Sequence, residues 1–136
     1  MRIYWNQSAK VKLTSGTTED IMIQRGVRQG CILYPSLFIL YSEYLLQEAI
    51  SKKSGILING VNMNNIRYAD DTVILAESEE QLQAMLDRIV DKCKEYGMEI
   101  NPKKTKVMHI GRDTKKLTIT VGNTVLEQVS KYTLDT

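Results

Sequence analysis

The chain has 136 residues, which is one domain or a piece of one and is long enough to bury a sizeable core. Hydrophobic residues make up 43% and charged residues 25%, with a net charge of +2, so average electrostatics do not demand a nucleic-acid partner. Two distant cysteines, Cys31 and Cys93, and one histidine, His109, argue against a zinc site, a disulfide framework and a serine–histidine catalytic arrangement. No apolar leader follows Met1. The longest apolar region, Cys31 to Ile50, is interrupted by Pro35, Ser36, Ser42, Glu43, Gln47 and Glu48, so no membrane span is expected. The simplest location is intracellular, in nucleus or cytoplasm.

Two strands, Val11 to Leu13 and Asp20 to Gln24, are expected on either side of a turn-rich stretch from Thr14 to Thr18. A loop with two glycines and two arginines follows, Arg25-Gly26-Val27-Arg28-Gln29-Gly30. A helix should begin near Pro35, because Leu37, Leu40, Tyr41, Tyr44 and Leu45 share one face and Phe38 broadens it. Gly55 to Val61 reads as a short strand pair turning at Asn59-Gly60.

Ile66 to Leu75 reads as strand, two-residue turn, strand, with Asp70 and Asp71 set between apolar runs. Such strands want burial on at least one face, and a buried sheet is a costly place for two adjacent like charges. A divalent cation would remove that penalty. The ordinary alternative is a solvated pair, since Asp is common in turns for its bonds to nearby amides.

The next helix has a complete set of signals. Ser78 is placed as N-cap with Gln81 three residues on, the spacing of a capping box. Leu82, Met85, Leu86, Ile89, Val90 and Cys93 repeat with helical period, and Gly97 supplies a left-handed terminator. Met98 to Ile100 and Thr105 to Ile110 are then expected as strands around Asn101-Pro102. Leu117 to Val121 and Thr124 to Val129 form a last hairpin at Gly122-Asn123. The sum is an α+β layout, with helices packed on one face of a mainly antiparallel sheet.

Charge is unevenly distributed. Lys103, Lys104, Lys106, Arg112, Lys115 and Lys116 face a single acid, Asp113, over one short stretch. Such a segment can serve a phosphate backbone or simply be a solvated lysine face.

Three blocks carry a resemblance. Gly26-Val27-Arg28-Gln29-Gly30-Cys31-Ile32-Leu33-x-Pro35-x-Leu37-Phe38, then Tyr68-Ala69-Asp70-Asp71, then Gly97-x-x-Ile100-Asn101-x-x-Lys104-Thr105 resemble reverse transcriptases of non-LTR, LINE-like retrotransposons. The likeness runs from about Tyr4 to Tyr132. It implies a palm-type sheet and RNA-directed DNA polymerisation, with an RNA template, a DNA primer and dNTPs as partners. It also implies two magnesium or manganese ions, about 3.5–4 Å apart, that activate a primer hydroxyl and stabilise leaving pyrophosphate. On that resemblance Asp70 is a direct metal ligand, and Asp71 shapes the metal site or braces the turn. Arg28, Gln29 and Gly30, with Tyr68, would lie against template and nucleotide, Gly30 permitting close backbone approach. Lys104 matches a lysine near the pyrophosphate, as proton donor or charge stabiliser; the alternative is a solvated surface lysine.

The same resemblance exposes gaps. The family carries another metal-binding aspartate on an earlier palm strand, and the only acids before Gly26 are Glu19 and Asp20, in no matching context. Fingers and thumb are also unmatched, so the expectation is a partial palm that is inactive, or nearly so, by itself. Tyr34 stands where the family has a serine before the proline, and Lys131-Tyr132-Thr133-Leu134 departs from the family's Lys-Tyr-Leu-Gly. Two other readings follow: a non-catalytic nucleic-acid-binding or interaction module, and an inert retroelement remnant.

Overall fold

The computed structural model describes residues 7–23, 26, 30–68, 71–113 and 115–133. The chain divides into two units, Met1–Leu37 and Phe38–Thr136.

In the first unit, β1 (Gln7–Ala9) pairs antiparallel with β4 (Ile21–Ile23), and β2 (Lys12–Leu13) pairs with β3 (Gly16–Thr17). These are two stretches of one nested hairpin. Reciprocal bonds between Val11 and Thr18 join them, the Thr18 amide donating to the Val11 carbonyl at 3.0 Å and the Val11 amide to Thr18 Oγ1 at 3.0 Å. The turn is shorter than the sequence suggests. Leu13 pairs with Gly16, leaving Thr14-Ser15 as the connection, because Gly16 at φ +145° takes a conformation closed to most side chains. Its apolar residues Val11, Leu13, Ile21, Met22 and Ile23 are exposed.

Helix α1 spans Tyr34–Ala49. The helical period expected from Pro35 onward is present, but burial is confined to the last turns, at Leu45, Leu46 and Ala49. Leu37, Leu40, Tyr41 and Tyr44 are exposed. The reason lies in the partner, since only those last turns share a buried cluster with α2, which spans Glu79–Glu95.

Helix α2 forms for the reasons its sequence gives. Ser78 Oγ accepts the Gln81 amide at 3.1 Å, and the Gln81 side chain reaches back to the Glu77 amide at 3.0 Å. Glu79 and Glu80 occupy the first turn and Lys92 and Lys94 the last, each matched to its end of the helix dipole. At the far end the Met98 amide donates to the Cys93 carbonyl (2.7 Å) and the Gly97 amide to Lys94 (3.1 Å), a Schellman closure with Gly97 at φ +68°.

Between the helices, β5 (Ile56–Ile58) and β6 (Val61–Met63) pair across Asn59-Gly60, both at positive φ, as a primed two-residue turn requires. β7 (Asn65–Tyr68) pairs antiparallel with β8 (Asp71–Ile74). After α2, β9 (Lys106–Val107) pairs in parallel with β12 (Glu127–Gln128), while β10 (Thr120–Val121) and β11 (Thr124–Val125) form a hairpin. The α+β expectation is met, in two helices and mostly antiparallel pairs. The single continuous sheet is not. Among the described residues all six ladders are two-stranded. Met98 to Ile100 is not a strand either: the Met98 amide is taken by the Cys93 carbonyl in the closure of α2, and just beyond, Asn101 starts a turn, its carbonyl accepting the Lys104 and Thr105 amides and its Oδ1 the Lys103 amide at 3.0 Å.

Two buried clusters meet along α2. Met85, Ile89 and Cys93 join Leu45, Leu46, Ala49 and Ile50, with Ile74 and Ala76 packed alongside. Leu86 joins Val107, Leu117, Ile119 and Leu126.

Gly55, at φ +122°, brings the backbone so near β6 that an added Cβ would collide with the Met63 carbonyl oxygen. Gly55→Ala should therefore lose about 2–3 kcal/mol in urea unfolding. Ser78→Ala, which removes one cap bond, should lose about 1 kcal/mol.

Candidate functional site

The β7–β8 register fixes the geometry around the paired carboxylates. Tyr68 lies opposite Asp71, Arg67 opposite Thr72, Ile66 opposite Val73 and Asn65 opposite Ile74. Directly opposed residues share a face, so Tyr68, Asp71, Ile66 and Val73 form one face, and Arg67, Thr72, Asn65 and Ile74 the other. The second face is partly covered, with Thr72 exposed and Asn65, Arg67 and Ile74 half-buried. Ile74 packs on the core cluster built by α1 and α2, and the Arg67 guanidinium contacts the Glu43 carboxylate of α1. Gln47, one turn along α1, donates to Glu43 Oε1 at 2.6 Å. The first face is open, with Tyr68 60% and Ile66 46% exposed.

Asp71 is therefore the first residue of β8, not part of a two-residue tip, and it is half-buried on the open face. Its carboxylate is a hard oxygen donor open to a cation. Among the described residues no three or more His, Cys, Asp or Glu side chains gather as a metal cluster. Asp70, the other half of the pair, lies outside the described residues, as do Arg28 and Gln29 of the glycine loop.

Gly30 is described, exposed and at φ +84°, with nothing within 4 Å of where a Cβ would sit. Within its unit glycine is needed there for conformation; no close approach to another part of the unit requires it. Lys104 is exposed in the Asn101 turn, and no hydrogen bond or ion pair among the described residues links it to Asp71 or Tyr68. In the second unit, then, the structure brings Tyr68 and Asp71 together and leaves Lys104 on a separate turn. The residue pattern alone does not reveal the Arg67–Glu43 contact. Its trace is the alternation of polar Asn65 and Arg67 with apolar Ile66 and Tyr68, which marks a two-faced strand with a polar inner residue needing a partner.

Comparison with known proteins gives a consistent set of matches. The model of the family described as reverse transcriptase (RNA-dependent DNA polymerase) matches residues 2–131. A retrovirus-related Pol polyprotein from the type-1 retrotransposable element R2 of Nasonia vitripennis is 32% identical over 138 residues, covering 95% of this chain and 13% of that protein. The corresponding polyprotein from element R2DM of Drosophila melanogaster is 32% identical over 104 residues, 76% of this chain and 10% of that protein. An uncharacterised transposon-derived protein of Caenorhabditis elegans is 47% identical over 51 residues, 38% of this chain and 18% of its own. The chain thus spans under a fifth of the length of these curated relatives.

The Arg67 bond, followed by that from Gln47, holds the Glu43 carboxyl below its ordinary value of 4.5. A lowered folded-state value means the contact stabilises fully above the unfolded value and is lost as pH falls through the folded one. Arg67→Ala should lower the melting temperature at neutral pH, and the gap from the parent chain should close below pH 4.5. Added salt should narrow it only in part, since Arg67 is three-quarters covered, with 25% of its side chain exposed.

Proposed function

Because this chain belongs to the reverse transcriptase family, as a domain of the non-LTR retrotransposon type, we propose that it forms the palm portion of an RNA-directed DNA polymerase. Its partners are an RNA template, a DNA primer and dNTPs. The observation that carries this reading is the two-faced β7–β8 hairpin, locked onto α1 from behind and open in front, with Asp71 on the open face beside the Asp70 position. A rigid element presenting hard oxygen donors to solvent suits magnesium or manganese, which favour carboxylates and water.

Asp70 and Asp71 would hold the metal. Bound there, it would supply the Lewis acidity that activates the primer 3′-hydroxyl and neutralises charge on the leaving pyrophosphate. Tyr68, on the same face as Asp71, would contact the nucleic-acid strand. Arg28, Gln29 and Gly30 would align template and incoming nucleotide, and Lys104 would give a proton to the departing pyrophosphate or offset its charge. Two adjacent carboxylates are few for magnesium, so a further acidic ligand comes from elsewhere in the polymerase or from a partner chain. The 136-residue chain by itself therefore contributes half a site and little turnover. A second reading, nucleic-acid binding without catalysis, is favoured by the basic stretch Lys103 to Lys116.

Manganese should broaden the amide resonances of Tyr68, Asp71 and Thr72 in the parent chain and leave them sharp in an Asp70→Asn, Asp71→Asn double variant. Sharp signals in the parent would sink the metal reading. Primer extension on an RNA template should give little or no product with the isolated chain, and any product should vanish with Asp70→Ala. Binding of RNA that survives Asp70→Asn with no extension in any metal would favour the second reading.

A further inference from the structure

The tip of the β5–β6 hairpin carries chemistry that neither the fold nor polymerisation uses. Asn59-Gly60 is the only Asn-Gly pair in the sequence. An asparagine before glycine is open to attack on its own side chain, because the next main-chain nitrogen can reach its Cγ and glycine has no side chain in the way. Both residues are exposed. Nothing lies within 4 Å of where a Gly60 Cβ would sit. Neither the Asn59 carboxamide nor the Gly60 amide makes a hydrogen bond among the described residues. Other asparagines differ. Asn62 donates to the Lys52 and Ser54 carbonyls at 2.7 and 3.1 Å, Asn64 to the Ser51 carbonyl at 3.4 Å, and Asn65 to Asn64 Oδ1 at 2.6 Å. Asn101 precedes Pro102, whose nitrogen has no proton to give up, and Asn123 precedes the β-branched Thr124.

What restrains the reaction is the turn. With φ +49° at Asn59 and +81° at Gly60, the pair is held in the left-handed region by the ladder that sets Ile58 opposite Val61 and Leu57 opposite Asn62. In that conformation the Gly60 nitrogen stands on the far side of the Asn59 Cα–C bond from the Asn59 side chain. Attack therefore needs rotation about that bond, which carries Val61 away from Ile58. The reaction belongs to the opened hairpin. Opening is within easy reach, since β5 and β6 form a two-stranded ladder with Leu57, Ile58 and Val61 exposed.

We propose that Asn59 is a self-deamidation site gated by the β5–β6 pairing, intact while the hairpin is closed and modified once it opens. The Gly60 nitrogen loses its proton and bonds to Asn59 Cγ. The Cγ–Nδ2 bond breaks, and that nitrogen leaves as ammonia, giving a cyclic succinimide. Water then opens the ring at Cγ to give aspartate, or at the main-chain carbonyl to give isoaspartate. Nothing is oxidised or reduced, and water is the sole co-reactant. The isoaspartyl product carries an extra main-chain carbon in a two-residue tip, so Ile58 and Val61 no longer meet in register. The hairpin thus keeps an irreversible record of its own opening. None of this depends on a metal or on polymerisation.

The test incubates the full 136-residue chain at mildly alkaline pH and follows Asn59 by peptide mapping and mass spectrometry. Asn59 should convert at least about tenfold more slowly in the folded parent than in the same chain held unfolded in guanidinium. In the unfolded chain it should convert faster than any other asparagine. Gly55→Ala, whose added Cβ meets the Met63 carbonyl and so opposes closure, should raise the folded-state rate at least about tenfold. Equal rates in folded and unfolded parent, no conversion at Asn59 in the unfolded chain, or a folded Gly55→Ala no faster than the parent would each overturn the proposal. Should Gly55→Ala fail to fold, the parent in graded guanidinium decides: a rate that climbs before the helical circular dichroism changes supports gating, and one that stays flat until the whole chain unfolds refutes it. The isoaspartyl form, separated by chromatography, should exchange the amides of β5 and β6 at least about tenfold faster than the parent. Equal protection would mean that the turn closes again, and the record would not be irreversible.

Discussion

Everything in the second unit depends on the burial of α2 on two neighbouring faces. Met85, Ile89 and Cys93 fill the cluster shared with α1, and Leu86 fills the one shared with the segments after the helix. A helix polar all round would sit on the surface, and one apolar stripe would serve one layer. Two stripes make α2 a shared wall. Its ends are fixed independently of that packing, by the Ser78–Gln81 bonds at the start and the Gly97 closure at the finish. Position along the axis is thus set locally, while rotation about it is set by the core.

The polar groups of α2 finish the attachment. Gln83 Oε1 accepts the Thr120 amide at 2.8 Å and its Nε2 donates to the Thr120 carbonyl at 3.0 Å, while Glu79 accepts the Thr118 amide. With Gln128, whose Oε1 accepts the Leu117 amide at 2.8 Å and whose Nε2 donates to the Lys115 carbonyl at 2.7 Å, two glutamines supply bonds that no third strand makes among the described residues. This is how the two-stranded ladders of the described residues hold together: backbone groups in the connecting segments find side-chain partners. The glutamate takes part electrostatically, its carboxyl held below the usual range first by the Thr118 amide and then by Lys115. At the far end of α2, Tyr96 meets the rings of Tyr41 and Tyr44 edge-to-face at 5.5 and 6.1 Å, and Tyr41 donates to the Tyr96 carbonyl. An aromatic contact of this kind extends the helix pair beyond its aliphatic core.

How much of this can be read from the residues differs by element. Helix α2 is legible throughout, since cap, period and terminator are all local signals. The Asn59-Gly60 and Gly122 turns are legible because positive φ has a short list of tolerant residues. The extent of α1 burial is not, because period reports which residues share a face and says nothing of how far a partner reaches along it. The strand expected at Met98 to Ile100 fails for a different reason. Apolar alternation there leaves out the closure of α2, which takes the Met98 amide, and the Asn101 turn that follows directly. At the candidate site the sequence points to the hairpin and the carboxylate pair. It does not show which face is covered, since that depends on Glu43, more than twenty residues upstream. Arg28, Gln29 and Asp70 remain matters of resemblance and of the proposal built on it.

The division of the β7–β8 hairpin into a face held by α1 and the core and a more exposed one has a consequence for inheritance. Its placement is decided by Ile74 and Arg67, while the groups suited to chemistry stand on the other side and contribute little to holding it. On the proposed polymerase reading, selection for folding and selection for catalysis therefore act on different residues of the same two strands. A lineage released from the need to copy RNA could alter Tyr68 or Asp71 and still make a chain that folds as before. On that reading, decay of the enzyme would leave the Ile74 and Arg67 contacts in place, and an intact hairpin is no record that the reaction is still performed.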